Sequence, residues 1–233
     1  MPSGRGAEPE RDGARTRGEH YFAASPAASH RAREVVLTLD GVAQPIVLGT
    51  DRSVFSPGAV DEGTRFLLER GTRPDPSVTT LADVGCGYGP IAIALAHWAP
   101  TAEVWAVDVN ERARQLCRDN AARAGVGDRV RVVAPDDVPG DLRVDELWSN
   151  PPIRVGKEAL HDLLVTWLRR LPDRGAAHLV VHKHLGSDSL ARWLAEHGWA
   201  VDRRRSRRGY RLLDVRAADR SGSSPPVDRA QSR

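Results

Sequence analysis

Cysteine is nearly absent: Cys86 and Cys117 are the only two in 233 residues. Two cysteines make no disulfide framework and suit a reducing cytoplasm, and they argue against a cysteine-built zinc site. Long apolar runs are missing too. Nothing approaches the roughly 18 consecutive apolar residues of a membrane span. The opening stretch, MPSGRGAEPERDGARTRGEH, has arginines but no apolar centre, so it does not read as a secretory signal. Nor is there a strong excess of one charge. Lys and Arg number 34 against 31 Asp and Glu, a formal +3 that does not by itself demand an anionic partner. The local excess RRRSRR, Arg203 to Arg208, is dense enough to meet phosphate, or simply reflects an arginine-rich chain.

What is present divides into four parts. Residues 1–19 and 217–233 are polar tails without apolar periodicity and are expected to be disordered. Residues 20–78 read as an N-terminal extension packed on the main domain. It holds a hairpin about Asp40-Gly41 and a short helix that starts after Pro57-Gly58 and stops at Gly71. Residues 79–216 alternate between strand and helix. Strands are expected at 78–84, 102–109, 129–133, 144–149 and 176–183, with a closing pair at 199–205 and 209–215. Helices are expected at 90–99, 111–125 (capped by Asn110, stopped by Gly125), 157–171 and 187–198. This alternation predicts an α/β fold: a doubly wound, mostly parallel sheet with its ligand at the carboxyl ends of the strands.

The first of those strand ends reads LADVGCGYGP. Gly85, Gly87 and Gly89 follow Asp83 in G-x-G-x-G spacing, not the G-x-G-x-x-G of dinucleotide binders. A pyrophosphate seeks bare backbone donors, and a carboxylate beside them works against it. A ligand carrying an ammonium and a sulfonium gains from the same charge. S-adenosylmethionine carries both and has no phosphate. Asp108, 25 residues after Asp83, ends the next strand where a carboxylate can accept both ribose hydroxyls. Asp136 and Asp137 follow the third strand and are candidates for the adenine amino group. Any one of these acids could equally cap a turn.

The fourth strand runs into SNPPIRVGK. Asn150 offers a side-chain carbonyl, while Pro151 and Pro152 stiffen the backbone and offer carbonyls without competing donors. Such acceptors suit the amino group of a base or an amide. Accepting its hydrogens localises the nitrogen lone pair, and positioning then supplies most of the catalysis.

DVGCGYG, DVN and NPPIRVGK together resemble class I S-adenosylmethionine-dependent methyltransferases, in particular the ribosomal RNA small-subunit guanine-N2 (RsmC-like) family. HYF at 20–22, VFSPGAVDEGTRFLL at 54–68, HKHLG at 182–186 and GYRLL at 209–213 extend the likeness to about residues 20–215. The resemblance implies that Asp83, Gly85, Cys86, Gly87 and Gly89 hold the methionine part of the cofactor and Asp108 with Val109 the ribose. It implies that Asn150, Pro151, Pro152 and Ile153 bind the acceptor, and that Phe55, Asp61, Gly63 and Thr64 close over the cofactor pocket. Ile153 departs from the Phe or Tyr common at that position and lacks a π face for a base. The family's bacterial guanine enzymes often carry a second, degenerate methyltransferase-like domain, for which this chain has no room. RNA recognition is therefore expected to rest elsewhere.

The expected substrate is RNA, either ribosomal RNA or the small ribosomal subunit, modified in the cytoplasm with no membrane involved. Methylation of a protein glutamine or a small-molecule nitrogen stays open, as does a catalytically silent RNA-binding module. Cys86 reads as a small side chain suited to a crowded turn. His182 and His184 read as a strand-end pair without a third metal ligand. Lys183, Tyr210 and Arg211 could border the acceptor.

Overall fold

The computed structural model describes residues 33–51, 58–152 and 156–218, with Leu185 as backbone only. Residues 1–19 and 219–233, the segment at 20–22, Phe55 and Ile153 lie outside the described residues, whereas Ala217, expected to open the C-terminal tail, ends the last strand. Strands β1 (Arg33–Leu37) and β2 (Ile46–Thr50) form an antiparallel hairpin. Val35 and Leu48 face inward and the cross-strand pair Val36 and Val47 faces out, as a period of two requires. The Asp40-Gly41 turn is present, with Gly41 at φ +79°. The connection runs longer than a two-residue turn because Leu39 dips into the core. Asp40 carbonyl accepts from Arg73 at 2.7 Å and from the Trp98 indole at 3.1 Å.

Helix α1 (Glu62–Arg70) begins later than Pro57-Gly58 suggests. Its start is set by Asp61, whose carboxylate accepts the Thr64 N–H at 3.0 Å.

The main sheet contains β3 (Thr80–Val84), β4 (Glu103–Val107), β5 (Val130–Val133), β6 (Glu146–Ser149), β7 (Ala176–His182), β8 (Trp199–Arg207) and β9 (Tyr210–Ala217). Their order is β5-β4-β3-β6-β7-β9-β8; the first five are parallel, β9 lies antiparallel to β7, and β8 lies antiparallel to β9 and so runs in the direction of the first five. Alternate residues serve opposite faces. Leu81, Val104, Val132, Trp148, Val180 and Leu212 pack with α1, the hairpin, α2 (Pro90–Trp98) and α3 (Glu111–Arg123). Ala82, Leu147, Leu179 and Leu213 pack under α4 (Lys157–Leu168) and α5 (Ser187–Glu196). This is the class I methyltransferase architecture, a doubly wound Rossmann-like sheet with an N-terminal hairpin.

Two local expectations need correction. Helix α4 stops at Leu168, not 171, because the tight bonds Arg170 N–H to Trp167 carbonyl and Leu171 N–H to Leu168 carbonyl wind it out ahead of Pro172. His182 and His184 do not share a strand. β7 ends at His182, and Lys183–Leu185 form a 3₁₀ turn in which His184 N–H donates to His182 Nδ1.

The chain winds outward from β3 to β5, then returns to lay β6 against the other side of β3. That reversal opens a crevice at the carboxyl ends of β3 and β6. The glycine loop leaves β3 there, and Asn150-Pro151-Pro152 leaves β6.

Candidate active site

The glycine loop is anchored from below. Gly85 and Cys86 N–H groups both donate to the Val107 carbonyl of β4, at 2.8 and 3.1 Å. Gly87 has φ +55°, and a Cβ there would project into open space, so its backbone is bare toward the crevice. Gly89 answers a packing need. A Cβ on it would lie 2.6 Å from Cys117 Sγ, so α2 can approach α3 only without one. Cys86 is buried, and contact with Cys117 together with burial pushes its thiol well up, which makes it an inert packing group.

Asp83 is fully buried. One oxygen accepts the Ala92 N–H in the first turn of α2 at 2.9 Å; the other, Oδ1, has no partner among the described residues. Burial, reinforced by the Asp108 charge, pushes its pKa up to about 8. An unpaired oxygen on a desolvated carboxyl is a waiting site for positive charge. Asp108 Oδ2 accepts the Gly87 N–H at 2.9 Å and its Oδ1 the Asn110 N–H at 2.8 Å. Burial raises its pKa against the pull of those bonds. Each oxygen keeps a second lone pair, as two ribose hydroxyls would need. Val109 follows, half-buried, and Asn110 caps α3 through the Arg112 and Ala113 N–H groups. Asp136 and Asp137 are exposed on a 3₁₀ turn beyond β5, the strand next to β4. These residues fit S-adenosylmethionine: the unpaired Asp83 oxygen would favour a nearby cation, Gly87 would admit close approach and Asp108 would suit the ribose.

The acceptor turn is tied to the same loop. Ser149 Oγ donates to the Val84 carbonyl at 2.6 Å, and a Cβ on Gly85 would sit 3.5 Å from Pro152 Cδ. Asn150 Nδ2 donates to Asp61 Oδ2 at 2.7 Å and to Thr64 Oγ1 at 3.0 Å. Asp61 and Thr64 thus stand on the acceptor motif, where the sequence resemblance had placed them over the cofactor. No local signal could have found this, since 89 and 86 residues separate the partners.

Tyr88 adds a buried hydroxyl without a partner among the described residues; burial first, then the nearby Asp61 charge, push its pKa up to about 12. Tyr210 at the end of β7–β9 pairing packs on α1. A Cβ on Gly63 would meet its ring at 2.6 Å, and the ring stands edge-on to His182.

The arginine stretch is partly spent. Arg204 pairs with Asp202 and Asp214, Arg207 with Glu69, and Arg208 with Glu62, so these three are less available to phosphate than the sequence suggests. Arg203 and Arg205 have no ion pair among the described residues. Among the same residues no cluster of three or more His, Cys, Asp or Glu could hold a metal.

The methyltransferase small domain model matches residues 45–214. The chain belongs to that methyltransferase family. It is 29% identical over 201 residues to the uncharacterized protein YbxB of Bacillus subtilis, covering 85% of this chain and 98% of that one. It is 32% identical over 155 residues to ribosomal RNA small subunit methyltransferase C of Shewanella halifaxensis, covering 64% of this chain but 43% of the relative. In fold it is similar to the Thermus thermophilus 16S rRNA N2 G1207 methyltransferase (RsmC) in complex with AdoMet and guanosine. The TM-score is 0.68 at 21% identity, over 82% of this chain and 52% of that one. The chain therefore spans nearly all of YbxB and about half of the two named ribosomal RNA methyltransferases. The cofactor of this class I family is S-adenosylmethionine.

Proposed function

We propose that this methyltransferase acts on an exocyclic amine of a nucleobase, first of all guanine N2 of ribosomal RNA, in the cytoplasm. One observation carries the reading: Asn150 spends both amide hydrogens on Asp61 and Thr64, which leaves its carbonyl oxygen to accept from an amine.

Asp83, the Gly85–Gly89 loop and Asp108 are the residues that would hold the cofactor. When bound, S-adenosylmethionine supplies an electrophilic methyl group on a sulfonium. Asn150 Oδ1 and the carbonyls of the proline pair then take the hydrogens of the incoming amine, turning its lone pair out of conjugation with the ring. No strong base is required, because the nitrogen becomes acidic only as it is alkylated and its proton leaves to solvent. Pro152 against Gly85 keeps the acceptor turn and the cofactor loop in fixed relation, the alignment on which an in-line displacement depends.

RNA as the acceptor is supported by the names of the relatives and by Arg203 and Arg205 on the hairpin that flanks α1. The test is transfer of isotopic methyl to a panel of protein-free ribosomal RNA, small ribosomal subunits and glutamine-bearing protein. We expect label in RNA, recovered as N2-methylguanosine after digestion. Label confined to protein would overturn the reading. On the accepted substrate, Asn150→Ala should cut turnover by at least about a hundredfold while cofactor affinity stays within a few-fold.

A further inference from the structure

We infer that Asp61 is a positioning residue that sets the working orientation of Asn150, with Thr64 as the second anchor. The inference rests on the amine-methylating reading above and assigns Asp61 to the acceptor side of the site.

An asparagine amide has a donor end and an acceptor end of nearly the same shape. Turned one way it welcomes an amine's hydrogens; turned the other way it repels them with its own. Nothing in Asn-Pro-Pro decides between the two. Asp61 does. A carboxylate oxygen only accepts, so Oδ2 at 2.7 Å draws the nitrogen end of Asn150 toward itself, and Thr64 Oγ1 at 3.0 Å takes the second hydrogen. The carbonyl end is left to face the acceptor.

The contact also works electrostatically. A negative charge behind the amide pulls on its protons and shifts electron density to the carbonyl oxygen, as coupled hydrogen bonds do in a half-buried site. The oxygen so enriched is the one that meets the nitrogen on which positive charge grows during methylation.

The anchor itself is held from several sides. The same Asp61 oxygen caps α1 through the Thr64 N–H, Gly63 lies flush on the Tyr210 ring, and Arg208 and Arg207 pair with Glu62 and Glu69 along the helix. Asp61 therefore joins a helix start braced by the β8–β9 hairpin to the turn that leaves β6.

Capping and positioning can be separated by substitution. Serine caps a helix as well as aspartate does but withdraws the charged acceptor from Asn150, whereas asparagine keeps an oxygen for both bonds. With full-length protein, tritiated S-adenosylmethionine and protein-free ribosomal RNA, Asp61→Ser should lower kcat by about thirtyfold or more. Its cofactor Kd should stay within about threefold, and Asp61→Asn should keep kcat within about tenfold. Wild-type turnover in Asp61→Ser, or a loss of cofactor affinity as large as the loss of turnover, would overturn the inference. If the wild-type protein labels no RNA, the acceptor reading has failed, and a second measurement still judges the clamp. The Asn150 side-chain amide signals in ¹⁵N–¹H spectra, identified by their absence in Asn150→Asp, should move in Asp61→Ser. Unmoved signals would overturn it.

Discussion

The Asp108 carboxylate accepts the Gly87 N–H at 2.9 Å, so the acid that ends β4 holds the middle of the loop that leaves β3. Its other oxygen holds Asn110, the cap of α3. Asp108 thus shapes the glycine loop, and in the proposed site its remaining lone pairs would meet the ribose. Asp108→Ala should weaken S-adenosylmethionine binding by roughly 1–3 kcal/mol, the cost of stranding such donors. Asp108→Asn, which keeps one acceptor, should lose less. Titration calorimetry decides, and an unchanged Kd in the alanine variant would place the ribose elsewhere.

Asp83 should make cofactor binding a proton-linked event. With its pKa pushed up to about 8, the free protein carries a neutral carboxyl at pH 7. A bound cation beside the unpaired oxygen favours the charged form and expels the proton. Calorimetry at pH 7 in buffers of different ionisation enthalpy should show proton release that Asp83→Asn lacks. For the free protein the sign runs the other way. The folded pKa lies above the unfolded value near 3.9, so from about pH 4 to 8 the unfolded state binds fewer protons and this group lowers stability as pH rises. Identical proton counts in wild type and Asp83→Asn would contradict the assignment.

Gly89→Ala combines two strains. The residue sits at φ +95°, and its new methyl would meet Cys117 Sγ at 2.6 Å. We expect a loss of roughly 1–3 kcal/mol, a fall of several degrees in Tm. Adding Cys117→Ala should return the steric part only. Full recovery in the double variant would mean that the backbone conformation costs nothing there.

A buried ionic cluster lies away from the crevice, near the amino ends of the strands. His178 Nδ1 is 2.8 Å from Asp214, and its Nε2 is 3.6 Å from Glu146, which also accepts the Trp148 indole; Arg204 approaches Asp214 from β8. Burial alone would lower the His178 pKa, but the two carboxylates outweigh it and the pKa is raised. Its stabilisation is therefore complete below the unfolded value near 6.5 and fades as pH climbs through the folded value. The Tm difference between wild type and His178→Gln should shrink as pH rises from about 6.5 toward 9. A difference that grows over that range would show a neutral, not a charged, imidazole.

Much of this was legible in the sequence because its causes are local. Strand, glycine loop and helix are consecutive at 80–98, Asn110 caps the helix directly after it, and Asp83 and Asp108 each stand at a strand end. A period of two or of 3.6 residues reports such elements without knowledge of their neighbours. The sequence also misjudged where helices begin and end, since Asp61 and the turn before Pro172 act through single hydrogen bonds that composition does not reveal.

The sequence by itself determined the alternation of elements, the glycine loop after β3 and the Asn-Pro-Pro turn after β6, because short-range sterics and hydrogen bonding suffice for each. Only the tertiary structure decided that β6 lies beside β3, that Asp61 and Thr64 grip Asn150, that Glu146, His178 and Asp214 meet, and that Arg204, Arg207 and Arg208 are engaged by carboxylates. These are contacts between distant segments. They exist because burying both faces of one sheet brings together side chains that no local pattern relates.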